Sequence, residues 1–531
     1  MLAKTPVRGD ESTSITARAA APPVRHVAMV VDPRSARVVH GEIARRLSAA
    51  GVQVSVAYGR QTDDLPSSID LLLRLERMLT RTAGQLGRKH SIDAHACSAT
   101  SPDLTLDFSG TAPRAGRTLR VLYDGAAGEC ALMGALFAGR MPSIELQDAA
   151  SGAIVSRGLP GTEDAGTIHA ALEAVLGRLI TLTLNTVRGW GTRSETPAPV
   201  AQSPGVRELA RFEVRSLARA AVRRLYHLCC HAPHWRVCWR FVDGADLWDA
   251  GTLAGTSWQV LPDPGTHFYA DPFPFVHQGR LYVFVEDLDH RTNKGVISVV
   301  PFGDTGPSGP ARIVLEKPWH LSYPFVFERD GQIWMIPESS ANATVSLYRA
   351  ERFPDRWVKE TDLLSGITAS DTTLVEHGGR LWMFATTHDG AGSFSDTLSI
   401  FHSAHLRGPW KPHEANPILV DQSCARPAGA FVRRHGRLWR PVQDCRAGYG
   451  TGIGLAEVVR LDLDGYAQKL HGVIRPEPGW PGRRLHTLNR AGAFECIDGA
   501  AHSPRSRILA GKLEAWSGRR ELTKSAAGDA R

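Results

Sequence analysis

The sequence predicts a multidomain chain: an N-terminal α/β domain with a doubly wound parallel sheet, then an all-β five-bladed propeller. Three observations predict it. The chain has 531 residues, more than one domain usually holds. Its first 190 or so residues alternate strand-like and helix-like stretches. Beyond residue 246 a hairpin pattern recurs about every fifty residues, the signature of a propeller or array.

The recurring unit is an apolar run, a turn ending in glycine, and a second apolar run. It is seen in DPFPFVHQGRLYVFVED (271–287), SYPFVFERDGQIWMIPESS (322–340), DTTLVEHGGRLWMFATT (371–387), RPAGAFVRRHGRLWRPVQD (426–444) and NRAGAFECIDG (489–499). The repeat glycines are Gly279, Gly331, Gly379, Gly436 and Gly499. AGAF occurs twice, at 428–431 and 491–494. Further strands follow the hairpins, such as GVISVV, TVSLYRA and DTLSIFHSA. Trp334, Trp382 and Trp439 stand three residues after a repeat glycine, with Tyr282 in that place in the first copy. Recurrence in blade after blade points to packing between blades, since a binding site occurs once.

From the N-terminus, residues 1–24 read as a disordered lead without the apolar core of a secretion signal. VRHVAMVV (24–31) is a buried strand, 38–50 a helix with Gly51 as its cap, and VQVSVAY a second strand. A long helix fits 67–88. PDLTLDFSG, RTLRVLYDG and SIELQD are strands, and a helix near 164–180 closes the domain at about 190. Segment 191–245 combines a linker, TPAPVAQSP, with an arginine-rich amphipathic helix over 206–228. The propeller spans 246–505, and 506–531 is a polar tail.

The net charge of +8 permits anionic partners and demands none; nucleic acid is not among the partners expected. On the 206–228 helix, Arg207, Arg211, Arg215, Arg219 and Arg223 recur every four residues beside Leu209, Phe212, Leu217, Val222 and Leu225. Such a stripe suits a solvated or salt-bridged face, or peripheral contact with acidic lipid. No apolar run reaches the ~18 residues of a membrane span, so a cytoplasmic location is the default expectation. Eight cysteines show no zinc spacing or disulfide framework. No metal site is evident, no GxGxxG follows the first strand, and no cofactor is identified.

In a propeller the inner strands line a channel, so their first residues converge on one pocket. Asp271, Tyr323, Asp371 and Arg426 begin four of these strands, and His486 and Asn489 lead the fifth. Glu286 and Glu338 end the second strands of blades one and two, and Asp444 that of blade four. Carboxylates with an arginine and a histidine suit a hydroxyl-rich ligand, a carbohydrate or nucleotide sugar. Capping of turns is the ordinary role for such aspartates.

Around PDLTLDFSG and YDGAAGECAL the N-terminal part resembles the formyltransferase fold. That family's Asn-His-Asp set has no counterpart here, which points to a repurposed domain. HFYADPFPF, YVFVED, IPES and LRGPWKPHEANPI resemble the five-bladed propellers of arabinanase and β-xylosidase type glycoside hydrolases. YADPFPF, SYPF, IPES, RPAG and HTLN together resemble the N-terminal propeller domain of glucosamine inositolphosphorylceramide transferase. The resemblance implies a carbohydrate-active protein of cell-surface polysaccharide or glycolipid synthesis. It implies Asp271 as base and Asp371 as the carboxylate that sets the acid's pKa. The acid is expected in blade four, where Arg426, Gln443 and Asp444 stand instead; either Glu338 of blade two takes that role or the hydrolase machinery is incomplete. A non-catalytic sugar-binding scaffold, or a formyl- or acyl-type transferase with the propeller selecting substrate, are the alternatives.

Overall fold

The computed structural model describes residues 12–18, 22–60, 67–80, 84–93, 101–110, 116–162, 167–194, 206–388, 392–477, 480, 482–501 and 503–505. The expected 196–204 linker and the tail beyond 505 lie outside these residues.

The N-terminal unit is an α/β domain around one mixed sheet. Its strand order is Gln53–Tyr58, His26–Val31, Leu104–Asp107, Thr118–Tyr123, Ile144–Asp148, Ile154–Gly158. The first four run parallel; Ile144–Asp148 adds antiparallel to Thr118–Tyr123, and Ile154–Gly158 adds antiparallel to Ile144–Asp148. The central HVAMVV run is apolar because neighbours cover it; Val27, Met29 and Val31 are at most 1% exposed. Helices α1 (Val38–Ala49), α2 (Ser67–Thr80) and α3 (Glu129–Phe137) all contact α4 (Ile168–Val187). The fully parallel sheet expected is therefore corrected to a mixed one, and the formyltransferase resemblance gains no support. Gly51 ends α1 with φ 82°, a backbone conformation suited to glycine. α4 is long and apolar enough to cross a membrane, but 83% of its apolar window is buried inside the protein, as in a core helix.

The rest of the chain forms a β-propeller. Five antiparallel sheets follow in chain order, here blades one to five. Their inner hairpins are His267–His277 with Arg280–Asp289, Ser322–Arg329 with Gln332–Glu338, Thr368–His377 with Arg380–His388, Val432–Arg434 with Arg437–Asp444, and Leu485–Ala491 with Phe494–Ala500. Blade five is completed by Trp235–Phe241, a strand from before blade one, which pairs with Phe494–Ala500 and so joins the ends of the ring. In blades one to four the hairpin is a two-residue turn ending in the repeat glycine. Gln278-Gly279, Asp330-Gly331, Gly378-Gly379 and His435-Gly436 all have positive φ at both positions. That is the turn whose twist matches paired strands. In blade five the turn is Gly492-Ala493, and Gly499 sits inside a strand, so the fifth repeat glycine is corrected to Gly492. The second AGAF is thus a turn. In the first, a Cβ on Gly429 (φ 139°) would lie 2.1 Å from the Leu488 carbonyl, so blades four and five meet there backbone to backbone.

The recurring tryptophans are structural. The indoles of Trp334 and Trp382 each donate to the carbonyl five residues back, at Arg329 and His377. Both are buried in the clusters between sheets.

Two strands tie the halves together. Ser12–Arg18, part of the expected disordered lead, is an ordered strand between Gly465–Ile474 of blade four and Trp190–Ser194. It extends that blade to six strands. Arg178 of α4 reaches across to Asp396 of blade three at 2.8 Å, with side chains 1% and 0% exposed. Asn185 donates to the carbonyls of Ala415 and Pro417.

Candidate functional site

The inner strands share a local device. Pairing across the first hairpin skips two residues in four blades: 271–272, 323–324, 371–372 and 486–487. Such bulges bend a strand and re-aim its side chains. Asp271, Tyr323 and Asp371 adopt φ of 49°, 44° and 56°. That left-handed region is rare for residues other than glycine, and such strain gathers at functional sites. The bulges turn residues 271, 323, 371 and 486 toward one another, and Arg426 of blade four joins them.

Asp271 is the centre. Its Oδ1 accepts from Thr487 Oγ1 at 2.6 Å and lies 3.1 Å from His486 Nε2; its Oδ2 accepts from the Tyr323 amide at 3.1 Å. Its own amide donates to Asp498 Oδ2 at 2.8 Å. Asp498 also accepts the amides of His486 and Thr487 and lies 2.8 Å from His486 Nδ1. The imidazole is thus flanked by two carboxylates and roofed by Trp235, with ring centroids 4.0 Å apart. Burial opposes its charge, but Asp498 and Asp271 outweigh burial and push His486 up to about 10. Burial likewise works against ionisation of Asp271. The charge of His486 and hydrogen bonds from His486, Thr487 and the Tyr323 amide still hold it below the usual carboxylate range.

Asp371 has the opposite balance. Burial pushes it up to about 7; Arg426 opposes the rise, and the charges of Glu338 and Asp271 add to it. Its Oδ2 accepts from Arg426 Nε at 2.5 Å and from Gln443 Nε2 at 3.1 Å. Arg426 also lies over the Tyr449 ring at 4.7 Å. Glu338 is half-buried. It accepts the Asp371 amide at 3.2 Å and the Ser340 hydroxyl at 2.8 Å, and it does not pair with Arg426 or Arg490. Glu286 holds the same register position in blade one as Glu338 in blade two, each opposite the residue before the bulge. Burial raises Glu286, although His320, 3.2 Å from its Oε1, pulls the other way.

The structure therefore brings Asp271, Glu286, Tyr323, Glu338, Asp371, Arg426 and His486 into one connected network. Tyr323 enters through its amide, while its hydroxyl is bonded to Thr373 at 3.0 Å. Two further residues expected to contact ligand have internal partners. Asn489 accepts from the Ala430 amide and donates to the Pro272 carbonyl, stapling blade five to its neighbours. Asp444 is clamped by Arg446 and Arg475 away from the network. Reasoning from sequence missed His320, Tyr449, Thr487 and Asp498. Asp498 carried a signal: an acid in the apolar strand FECIDGA, facing the 486–487 bulge.

Asp271, His486 and Asp498 place ligand atoms within 4.8 Å of one another, close enough to hold a metal ion. The same carboxylates are already occupied by four amides, a hydroxyl and the imidazolium, which makes the trio a charge clamp. In the N-terminal unit, Asp107 caps the Ser109 and Gly110 amides, and Asp124 binds Ser143 and Arg140.

Residues 256–492 match the family model described as "Glucosamine inositolphosphorylceramide transferase 1, N-terminal". A protein of Arabidopsis thaliana, glucosamine inositolphosphorylceramide transferase 1, is 35% identical over 230 residues, which is 42% of this chain and 30% of that protein. Its namesake in Oryza sativa subsp. japonica is 34% identical over 233 residues, covering 42% and 31%. The chain therefore spans about a third of the length of these relatives. Among solved structures, the family 117 glycoside hydrolase Zg3597 of Zobellia galactanivorans aligns at 10% identity and TM-score 0.34, covering 50% of this chain and 90% of that one. A GH43_1 enzyme from Xanthomonas citri aligns at 14% and 0.32, covering 44% and 87%.

Proposed function

We propose that the channel of this five-bladed propeller binds a sugar of a glycolipid or cell-surface polysaccharide and acts on its glycosidic linkage. The observation that carries this is a pair of buried carboxylates in one network with opposed environments: His486 and Thr487 hold Asp271 below the usual carboxylate range, while burial pushes Asp371, beside Arg426 and Gln443, up to about 7. Glycosidic chemistry needs such a pair, one carboxyl to give a proton and one to stabilise or activate. Glu338 and Glu286 stand beside them as further carboxylates; Glu338 accepts from Ser340 and the Asp371 amide, and Glu286 faces His320. The relatives named for transfer of glucosamine to inositolphosphorylceramide support a glycolipid. The test is a calorimetric titration of the full chain with oligosaccharides and nucleotide sugars: binding that weakens in Glu338→Gln supports the site, and binding that ignores it does not.

A second reading, a sugar-binding scaffold, is favoured by one observation: both oxygens of Asp271 already serve internal partners.

α5 (Val206–Cys229) fits a glycolipid substrate. Val214, Val222, Leu225 and Leu228 are 62–70% exposed, and Arg211, Arg215, Arg219, Arg223 and Arg224 are exposed beside them. Phe212 anchors the helix against Phe137. The side chains of Arg207, Leu209 and Leu217 lie outside the described residues. An apolar strip edged with arginine matches an anionic membrane surface.

A further inference from the structure

The N-terminal unit carries a second pocket, remote in sequence from the propeller network. It is open to solvent, has a cavity volume of about 50 Å³, and is lined by Arg37, Asp70, Leu73, Arg74, Arg77, Gly87, Arg88, Lys89 and His169. We propose that it binds the phosphate group of a small phosphorylated ligand.

Its construction is specific. Asp70, Leu73, Arg74 and Arg77 are spaced i, i+3, i+4, i+7 and so share one face of α2. The opposite wall, residues 86–90, is fixed by backbone hydrogen bonds to residues 36–39. It is fixed again by Glu173, whose carboxylate takes the amides of Leu86 and Gly87 at 2.9 and 2.7 Å. Arg37 is buried at the base, where Glu129 at 2.5 Å and the Gly87 carbonyl hold it. Neither wall needs to move to present its cations.

The charges do not balance. Five cationic side chains line the pocket against one carboxylate, Asp70, which is already shared between Arg37 and Lys89. Arg74, Arg77 and Arg88 have no ion-pair partner among the described residues. A separate observation points to the same place. His169, at the start of α4, is 3% exposed, and its Nε2 has no hydrogen-bond partner. Buried polar atoms are normally satisfied, so an orphan nitrogen in a pocket wall marks a missing partner. Guanidinium forks pair bidentately with phosphate oxygens, and a protonated or neutral imidazole donates to one.

The test is isothermal titration of the full chain with pyrophosphate, inorganic phosphate and a nucleoside diphosphate, at fixed ionic strength set with sodium chloride. Wild type is expected to bind pyrophosphate at one saturable site. Arg74→Ala with Arg77→Ala, both toward solvent on α2, should weaken binding at least about tenfold, the loss of one charge-assisted hydrogen bond. Arg88→Ala, on the other wall, should weaken it likewise, and Asp70→Asn should tighten it. Each variant is first checked to unfold at the wild-type temperature without anion. Tighter binding of the nucleoside diphosphate identifies an organic phosphate as the ligand; equal binding identifies phosphate itself. No saturable heat, or unchanged affinity in both arginine variants, overturns the proposal.

Discussion

His486 offers the sharpest perturbation, because its charge is held by two residues distant in sequence. The imidazole sits 3.1 Å from Asp271 and 2.8 Å from Asp498 and is driven up to about 10 from an ordinary 6.5. A folded-state value above the unfolded one means that stability is fully present below pH 6.5 and is lost as pH rises toward 10. The size follows from linkage, about 1.4 kcal/mol per pH step between the two values, or roughly 5 kcal/mol in all. His486→Gln removes the cation and leaves two buried carboxylates facing each other. Breaking a buried pair by deleting one partner costs about 3–5 kcal/mol. Urea unfolding at a series of pH values reads both. The variant should be less stable by that amount near pH 6, and the gap to wild type should close as pH approaches 10. Other groups also titrate in this window, but they do so in both proteins and cancel in the difference. A gap that stays constant from pH 6 to 10 would refute a charged His486.

Four further outcomes are expected. Arg178→Ala strands Asp396 in the seam between α4 and blade three and should cost about 3–5 kcal/mol in denaturant unfolding. Gly429→Ala pushes a methyl group against the Leu488 carbonyl and should cost about 1–3 kcal/mol or more, read as a lower Tm. If the Asp271–His486–Asp498 trio is a charge clamp, chelator and added calcium should both leave Tm unchanged. Sedimentation with phosphatidylserine vesicles should capture the chain, and Arg215→Glu with Arg219→Glu should release it; neutral phosphatidylcholine vesicles should capture little.

The propeller was legible because its signal is local and repeated. A two-residue turn with positive φ demands glycine, so Gly279, Gly331, Gly379 and Gly436 mark four hairpins outright. Counting back to the strand starts then found Asp271, Tyr323 and Asp371, although nothing in the sequence announced that bulges would turn them inward. What failed was pairing across long separations. Trp235–Phe241 closes blade five, and Ser12–Arg18 adds to blade four, through edges whose partners lie over 250 and 450 residues away. Edge pairing leaves little trace in composition. The backbone bridge made by Asn489 was not legible, because an amide that bridges backbones and one that binds a ligand look alike in sequence. The α/β alternation revealed the N-terminal class but not the reversal at Ile144–Asp148, after which Ile154–Gly158 turns back antiparallel to it.

The central claim is that the network around Asp271 acts on a sugar linkage. The most direct measurement is product formation by the full chain from labelled nucleotide sugar with inositolphosphorylceramide-type glycolipid, and from labelled oligosaccharide alone. Wild type is compared with Asp271→Asn and Asp371→Asn. Turnover by wild type that falls at least about a hundredfold in both variants, with the ligand still bound, is the expected result. A ligand bound equally by all three proteins, with no product from any, would contradict the claim and leave the channel a recognition surface.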